Sequence, residues 1–350
     1  MGKVRIAIAG LGNCASSLIQ GLEYYRSHPG DTTGLLFPSS GGYTPADVEV
    51  VAAFDVDARK VGLDVAEAIS AEPNCTIRFQ DVPRTGVIVQ QGPRLDGVPP
   101  HLERFVKASD APAVDVARVL RESGADLLIN MLPTGSAQAT RAYADAALGE
   151  AKIGFVNGIP ELIASDPKYQ ELAARNKVPL VGDDFKSQIG TTIIHRGLIR
   201  TAVSRGVRIE QMYQYNFAGN TDFANLEYRG ESKEVSKRSA LAPLLPNEVT
   251  WGLAPMFING QEDIKTGVIF IKGRYWGGQQ VKIEARLEVN DSADAGGVLV
   301  DMIRFTKIAI DRGESGVLWP VCAFFSKHPP KEIPDDEAKA VLDDWASSAR

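Results

Sequence analysis

The stretch Val4-Arg5-Ile6-Ala7-Ile8-Ala9-Gly10-Leu11-Gly12-Asn13-Cys14-Ala15 decides the fold. Its first six residues form a short apolar run broken only by Arg5, which reads as a buried strand. Gly10 lets the chain turn, and Gly12 lets the backbone come close to a pyrophosphate. Ala15 stands where a third glycine often lies and keeps the next helix close to the strand. In that helix Leu18, Ile19, Leu22 and Tyr25 recur at helical spacing. The helix start offers N–H groups and a positive dipole end to phosphates, with Asn13 and Cys14 in its first turn. Such a turn is common by itself. Its place between a strand and a helix makes it a candidate dinucleotide site.

A second apolar strand, Val48 to Phe54, ends in Asp55-Val56-Asp57. A carboxylate there would accept the ribose hydroxyls of NAD and repel the 2′-phosphate of NADP, or would simply end the strand. Asp55 lies 45 residues after Gly10, where about 20 is usual. The excess is a Gly-, Pro-, Ser- and Thr-rich insert from about Ser27 to Pro45, expected to form a surface loop.

At 350 residues and 44% hydrophobic, the chain can bury a large core and is expected to form two domains. A net charge of −6 with no long basic run argues against nucleic acid as a partner. No apolar run reaches the roughly 18 residues of a membrane span, and no basic segment followed by an apolar stretch opens the chain. Three widely spaced cysteines make neither a disulfide framework nor a zinc pattern. A cytoplasmic enzyme is the expectation. The four histidines show no metal or triad spacing, and His195 is expected to be structural.

Strand and helix patterns alternate through the first half. Asp126–Met131 runs into Leu132-Pro133-Thr134-Gly135-Ser136, Ile153–Asn157 into Gly158, and Val178–Val181 into Gly182-Asp183-Asp184-Phe185-Lys186-Ser187. In an open parallel sheet, ligands bind beyond these carboxyl ends. Asn130, Ser136, Asn157, Asp183, Asp184 and Lys186 are therefore expected to line one cleft. The segment Lys186-Ser187-Gln188-Ile189-Gly190-Thr191-Thr192 precedes a helical pattern and reads either as a second anion site or as an ordinary capped helix start. Beyond about residue 205 the pattern changes. Arg208–Phe217 and Gly267–Gly273 read as strands, and Gln280–Val289 alternates apolar and charged residues strictly, as an antiparallel sheet with one polar face would. Val298, Met302, Phe305 and Ala309 share one side of a later helix, and Glu337–Trp345 reads as a short terminal one. The expected fold is α/β: a Rossmann-like doubly wound parallel domain (1–200), an α+β domain with an open, mostly antiparallel sheet (201–295), and a helical segment (296–350) packing back on the first.

Gly219-Asn220-Thr221-Asp222 forms a turn, followed by Ser232-Lys233-Glu234-Val235-Ser236-Lys237. Lys233 and Lys237 are four apart and would share a helix face, either solvated or converging on an anion. These segments, together with the glycine turn, Ala53-Phe54-Asp55-Val56-Asp57, Leu132-Pro133-Thr134-Gly135, Gly182–Ser187, Asp291-Ser292 and Ser326-Lys327-His328-Pro329-Pro330, resemble the myo-inositol-phosphate synthase family in order. The likeness is strongest to its shorter prokaryotic members and runs from about Val4 to Asp336.

The resemblance implies an isomerase that uses NAD catalytically to close glucose 6-phosphate into 1L-myo-inositol 1-phosphate (1D-myo-inositol 3-phosphate). Oxidation at carbon 5 would acidify carbon 6. The resulting enolate would attack the carbon 1 aldehyde, and the ketone would then be reduced. Lys233, Lys237, Lys327 and Asp222 would be catalytic. Gly10, Gly12, Asn13, Cys14, Ala15, Asp55, Pro133, Thr134, Gly135, Asn157, Asp184 and Lys186 would hold NAD. Ser187, Gln188, Gly190, Thr191 and Thr192 would take the substrate phosphate. Asp184 and Asp291 could hold a divalent ion (zinc or magnesium), and a monovalent ion is the alternative. A homotetramer is implied. One departure stands out: the acid and lysine expected near Trp276-Gly277-Gly278-Gln279-Gln280 are missing, and Lys265, Lys272 and Lys282 are the candidate replacements. A net NAD-dependent dehydrogenase and a non-enzymatic NAD sensor are the competing classes.

Overall fold

The computed structural model describes residues 2–229, 241, 244–246 and 248–348. The glycine-turn segment folds as a strand, β1 (Val4–Ala9), a turn, and a helix, α1 (Asn13–Ser27). Next come β2 (Val48–Asp55), α2 (Val65–Ala68), β3 (Gln90–Gln91), α3 (Val116–Ser123) and β4 (Leu127–Asn130). They are followed by α4 (Ala137–Ala144), β5 (Gly154–Asn157), α5 (Pro167–Asn176), β6 (Pro179–Val181) and α6 (Thr191–Ser204). The second half holds β7 (Arg208–Ala218), α7 (Thr221–Arg229), β8 (Thr250–Phe257), β9 (Ile264–Arg274) and β10 (Gln280–Asn290). The chain ends with α8 (Asp291–Asp311), β11 (Gly316–Val317), α9 (Trp319–Phe325) and α10 (Asp335–Ser348).

Among the described residues, seven strands form the first sheet in the order β11-β6-β5-β4-β1-β2-β3, and every pairing is parallel. The run 3-2-1-4-5-6 is the doubly wound Rossmann order. β4 and β5 are buried along their whole length, because helices cover both faces of such a sheet. On one face, α1 and α8 pack together over Ile6, Ile8, Leu127 and Ile129. On the other, Leu120, Tyr143, Tyr169 and Ala173 cover Ala7, Leu128 and Phe155. The long α8 is buried on most sides because it lies between α1 and the sheet.

The second sheet has the order β10-β9-β7-β8. β9 pairs antiparallel with both neighbours, whereas β8 joins β7 in parallel. One face packs on α6 through Ile199, Ala202, Ile209, Met212, Ile269 and Ile271. The other carries stacked Tyr213, Tyr215 and Phe270 beside the alternating exposed charges of β10.

Three details depart from the sequence reading. The Ser27–Pro45 insert is not simply a surface loop. Phe37 packs edge-on against Phe305, Tyr43 is buried and bonds Asp311, and the buried Arg304 donates to the carbonyls of Phe37 and Tyr43. β8 was not foreseen, since Gly252 and Pro255 break its strand pattern. Pro255 is tolerated because, among the described residues, β8 is an edge strand. The terminal helices also begin earlier than the apolar periodicity indicated, α8 at Asp291 under an Asn290 cap and α10 at Asp335.

Candidate active site

One cleft runs beyond the carboxyl ends of the first sheet and faces the start of α7. At its nucleotide end, Gly10 adopts φ +90°, and a Cβ there would lie 2.8 Å from the Met131 carbonyl. The turn therefore requires glycine. A Cβ on Gly12 would meet nothing within 4 Å, leaving open space at the mouth of α1. Gly12 is the N-cap and has no side chain with which to cap the helix. This is a cradle suited to a phosphate.

Asp55 braces the turn. Its Oδ2 accepts from Leu11 N at 2.8 Å, and its Oδ1 accepts from Val56 N at 2.7 Å and Asp57 N at 2.9 Å. Sequence reasoning missed Lys60. Its Nζ donates to the Leu11 carbonyl at 2.8 Å and to Asn74 Oδ1 at 2.9 Å, and lies 3.9 Å from Asp55 Oδ2. Burial pushes the Lys60 ammonium below its ordinary pKa, against the pull of Asp55 and Asp57. The signal available was a lysine five residues after the strand-end carboxylate. Asn13 is held from the side, its Oδ1 accepting from Cys75 N at 2.8 Å. Cys14, Ala15, Pro133 and Thr134 also line the cleft. Gly135, at φ +87°, turns the chain behind them and lies outside the lining.

In the same cleft, two carboxylates each hold an ammonium group. Lys327 Nζ donates to Asp184 Oδ1 at 2.9 Å, and Lys265 Nζ to Asp291 Oδ1 at 2.5 Å. The first pair is set by a backbone tie: Lys327 N donates to Asp184 O at 2.7 Å and His328 N to Asp183 O at 3.1 Å. Asp184 takes φ +54°, a strained conformation for a residue with a side chain. Among the described residues its Oδ2 is buried without a hydrogen-bond partner. The second pair is backed by Asp263, which accepts from Asn220 Nδ2 at 3.1 Å and from Ser292 Oγ at 2.9 Å. Burial, helped by the Asp291 charge, pushes the Asp263 carboxyl up to about 6. Asp222 faces the same cleft from the first turn of α7. Of the three candidate replacement lysines, Lys265 is the one lining the cleft, while Lys282 is on the exposed face of β10.

The start of α6 lines the same cleft. Ser187, Gly190, Thr191 and Thr192 line the cleft, and the Gly190 N-cap has no side-chain cap. Thr191 Oγ1 donates to Asn216 Oδ1 at 2.7 Å. Gln188 points away and donates to the Gly34 carbonyl at 2.7 Å, against the insert.

Several expected cleft residues lie behind the wall. Asn157 is fully buried and donates to Asp183 Oδ1 at 2.7 Å, while the same Asp183 carboxylate accepts from the backbone of Ile163, Ala164 and Ser165. Asn130 donates to Asn157 in the same network. Lys186 is turned into the core, donating to the Ala323 and Phe324 carbonyls and to Asp335. Position at a strand end locates a residue, but the neighbouring backbone donors and acceptors decide which way its polar group turns. His195 is buried against Gln214, and burial pushes it down to about 4. Lys233 and Lys237 lie outside the described residues.

Among the described residues no group of three or more His, Cys, Asp or Glu converges, and Asp184 and Asp291 each already bind an ammonium.

Fold and cleft together define a Rossmann-like α/β protein whose nucleotide cradle faces paired lysines and carboxylates. Residues 190–292 match the family model for myo-inositol-1-phosphate synthase. The inositol-3-phosphate synthase of Corynebacterium glutamicum is 43% identical over 97% of this chain and 97% of its own. That of Mycobacterium tuberculosis H37Rv is 43% identical over 98% of this chain and 95% of its own. The crystal structure of Ari2 superposes with a TM-score of 0.82 at 35% identity, covering 98% of this chain and 99% of that one. The chain belongs to the inositol-3-phosphate synthase family.

Proposed function

We propose that this chain converts D-glucose 6-phosphate into 1L-myo-inositol 1-phosphate, with NAD as a bound catalyst and no net redox change. The observation that carries the reading is the placing of two lysine–carboxylate pairs, Lys327–Asp184 and Lys265–Asp291, in the same cleft as an uncapped glycine cradle. A simple dehydrogenase needs one acid or base. Enolisation and ring closure generate negative oxygen repeatedly and call for several fixed cations.

The open space at Gly12, the uncapped α1 and the Asp55 carboxylate fit a dinucleotide. When bound, NAD supplies a reversible hydride acceptor, so that one carbinol carbon becomes a ketone and is later restored. The chain does the rest. The N-terminus of α6, with Ser187 and Thr192, holds the substrate phosphate. Lys327 and Lys265 face oxygens that become anionic, and Asp184 and Asp291 fix where those ammonium groups stand. Lys233 and Lys237 would add cations from the segment after α7, and Asp222 orients the reacting end. No step is routed through a metal.

The same reading gives 1–200 to the cofactor, 201–295 to substrate and assembly, and 296–350 to bracing the first part. The open aromatic face of the second sheet would join copies into a homotetramer in the cytoplasm. Incubation with glucose 6-phosphate and NAD, followed by NMR of the product, tests the function. Inositol phosphate without accumulation of NADH supports it. Stoichiometric NADH with an oxidised sugar would replace it with a net dehydrogenase.

A further inference from the structure

Leu102 and Val106 line the nucleotide end of the cleft from a strap that reaches across to the other half of the site. The strap is anchored beside the ribose-binding strand end: Ala58 N donates to Lys107 O at 2.7 Å and Ser109 N to Val56 O at 2.8 Å. Arg59, paired with Asp57, also donates to the Phe105 carbonyl. On its far side the strap grips α7. The His101 ring stacks on Tyr228 with centroids 4.4 Å apart, and its Nε2 lies 3.0 Å from Asn225 Oδ1. Phe105 packs against Phe257 on β8. Asn225 is buried and donates from Nδ2 to the Thr134 carbonyl at 2.7 Å, in the loop that forms the cofactor wall. It lies three residues from Asp222 on the same helix, so the two side chains are neighbours on its surface.

We propose that His101 is a positioning residue: by holding Asn225 it sets α7, and with it Asp222, relative to the bound dinucleotide. The proposal rests on the reading above for the identity of cofactor and reaction. The bond to Thr134 fixes the Asn225 amide with Nδ2 toward the loop and Oδ1 toward His101. Nε2 must therefore carry a hydrogen, which it does in the protonated ring and in one neutral tautomer. A dinucleotide pressing on Leu102 and Val106 would be felt at α7 through this contact, and a loosened α7 would be felt as weaker nucleotide binding.

The test uses the full chain as wild type, His101→Ala, His101→Gln, Asn225→Ala and the His101→Ala/Asn225→Ala pair. NAD alone is titrated calorimetrically, and turnover of glucose 6-phosphate is measured at saturating NAD. His101→Ala should weaken NAD about three- to tenfold, as loss of one neutral hydrogen bond does. It should also lower kcat by at least as much, with KM for the sugar changed less than about twofold. His101→Gln, which keeps a donor, should recover most of both losses. His101→Ala should add nothing once Asn225 is gone. Wild-type NAD affinity and kcat in His101→Ala would overturn the proposal. So would losses that Gln does not rescue and that add to those of Asn225→Ala, since these mark a merely structural side chain. If the wild type forms no inositol phosphate, the reaction reading fails, while the NAD titrations still decide the coupling.

Discussion

Lys327 stands where Asp184 and a two-way backbone tie put it. Lys327→Ala should lower kcat by about 10²–10³-fold, the usual cost of removing one fixed stabiliser of developing oxyanion charge, with NAD affinity nearly unchanged. Steady-state kinetics beside NAD titration checks this, and activity within tenfold of wild type would remove Lys327 from the mechanism. His195 belongs to the scaffold and gives a pH prediction. Burial holds it neutral, its pKa pushed down from 6.5 to about 4. Between those values the unfolded chain takes up a proton that the native chain refuses. Stability present above pH 6.5 is therefore lost as pH falls toward 4, by up to about 3 kcal/mol. Urea unfolding at pH 7 and 4.5 should show a smaller acid loss for His195→Gln than for wild type. At this scale the sequence shows which residue types lie at strand ends, and Asp184 could be found that way. It does not show which way each turns. Asn157 and Lys186 face inward because carbonyls and Asp183 or Asp335 receive them there. Lys60 escaped notice because its partners, Leu11 O and Asn74, are remote in sequence.

Among the elements, the start of α6 depends on its neighbour β9. A Cβ at Gly267 would fall 1.7 Å from Thr191 Cγ2, so glycine there lets the start of α6, the proposed phosphate segment, approach the sheet. Gly267→Ala should raise KM for glucose 6-phosphate about tenfold or more by displacing that segment, while NAD binding at α1 stays nearly unchanged. Equal losses of both would show that the starts of α6 and α1 do not act separately. Elements with strong periodicity were legible: α1, β10 and the apolar side of α8 follow spacing that only one secondary structure satisfies, and β1 is legible from its place before the glycine turn. β8 was not legible, because an edge strand can carry Gly252 and Pro255 where a central strand could not. The insert is an irregular, mostly exposed segment, as its composition indicates, but its anchors are not legible in it. What holds it, Arg304 and Phe305, lies more than 250 residues further along the chain.

At the scale of the whole molecule, the C-terminal α8 ties the insert, α1 and the first sheet into one core. Arg304 is its central polar residue, fully buried and paired with Asp301, whose carboxyl burial pushes up to about 7. Arg304→Met should cost about 3 kcal/mol or more at pH 8, where Asp301 is left as an unpaired buried charge. At pH 5 the cost should be smaller, because Asp301 then holds its proton. Denaturant melts at the two pH values check the sign. The central claim concerns chemistry: the hydride taken from the sugar returns to the same carbon. The most direct measurement is turnover of glucose 6-phosphate deuterated at carbon 5, with unlabelled NAD and NMR of the product. This account predicts inositol phosphate that keeps the deuterium at the carbon derived from carbon 5, with none in the free cofactor. Deuterium lost from the product, or released on reduced cofactor, would contradict it.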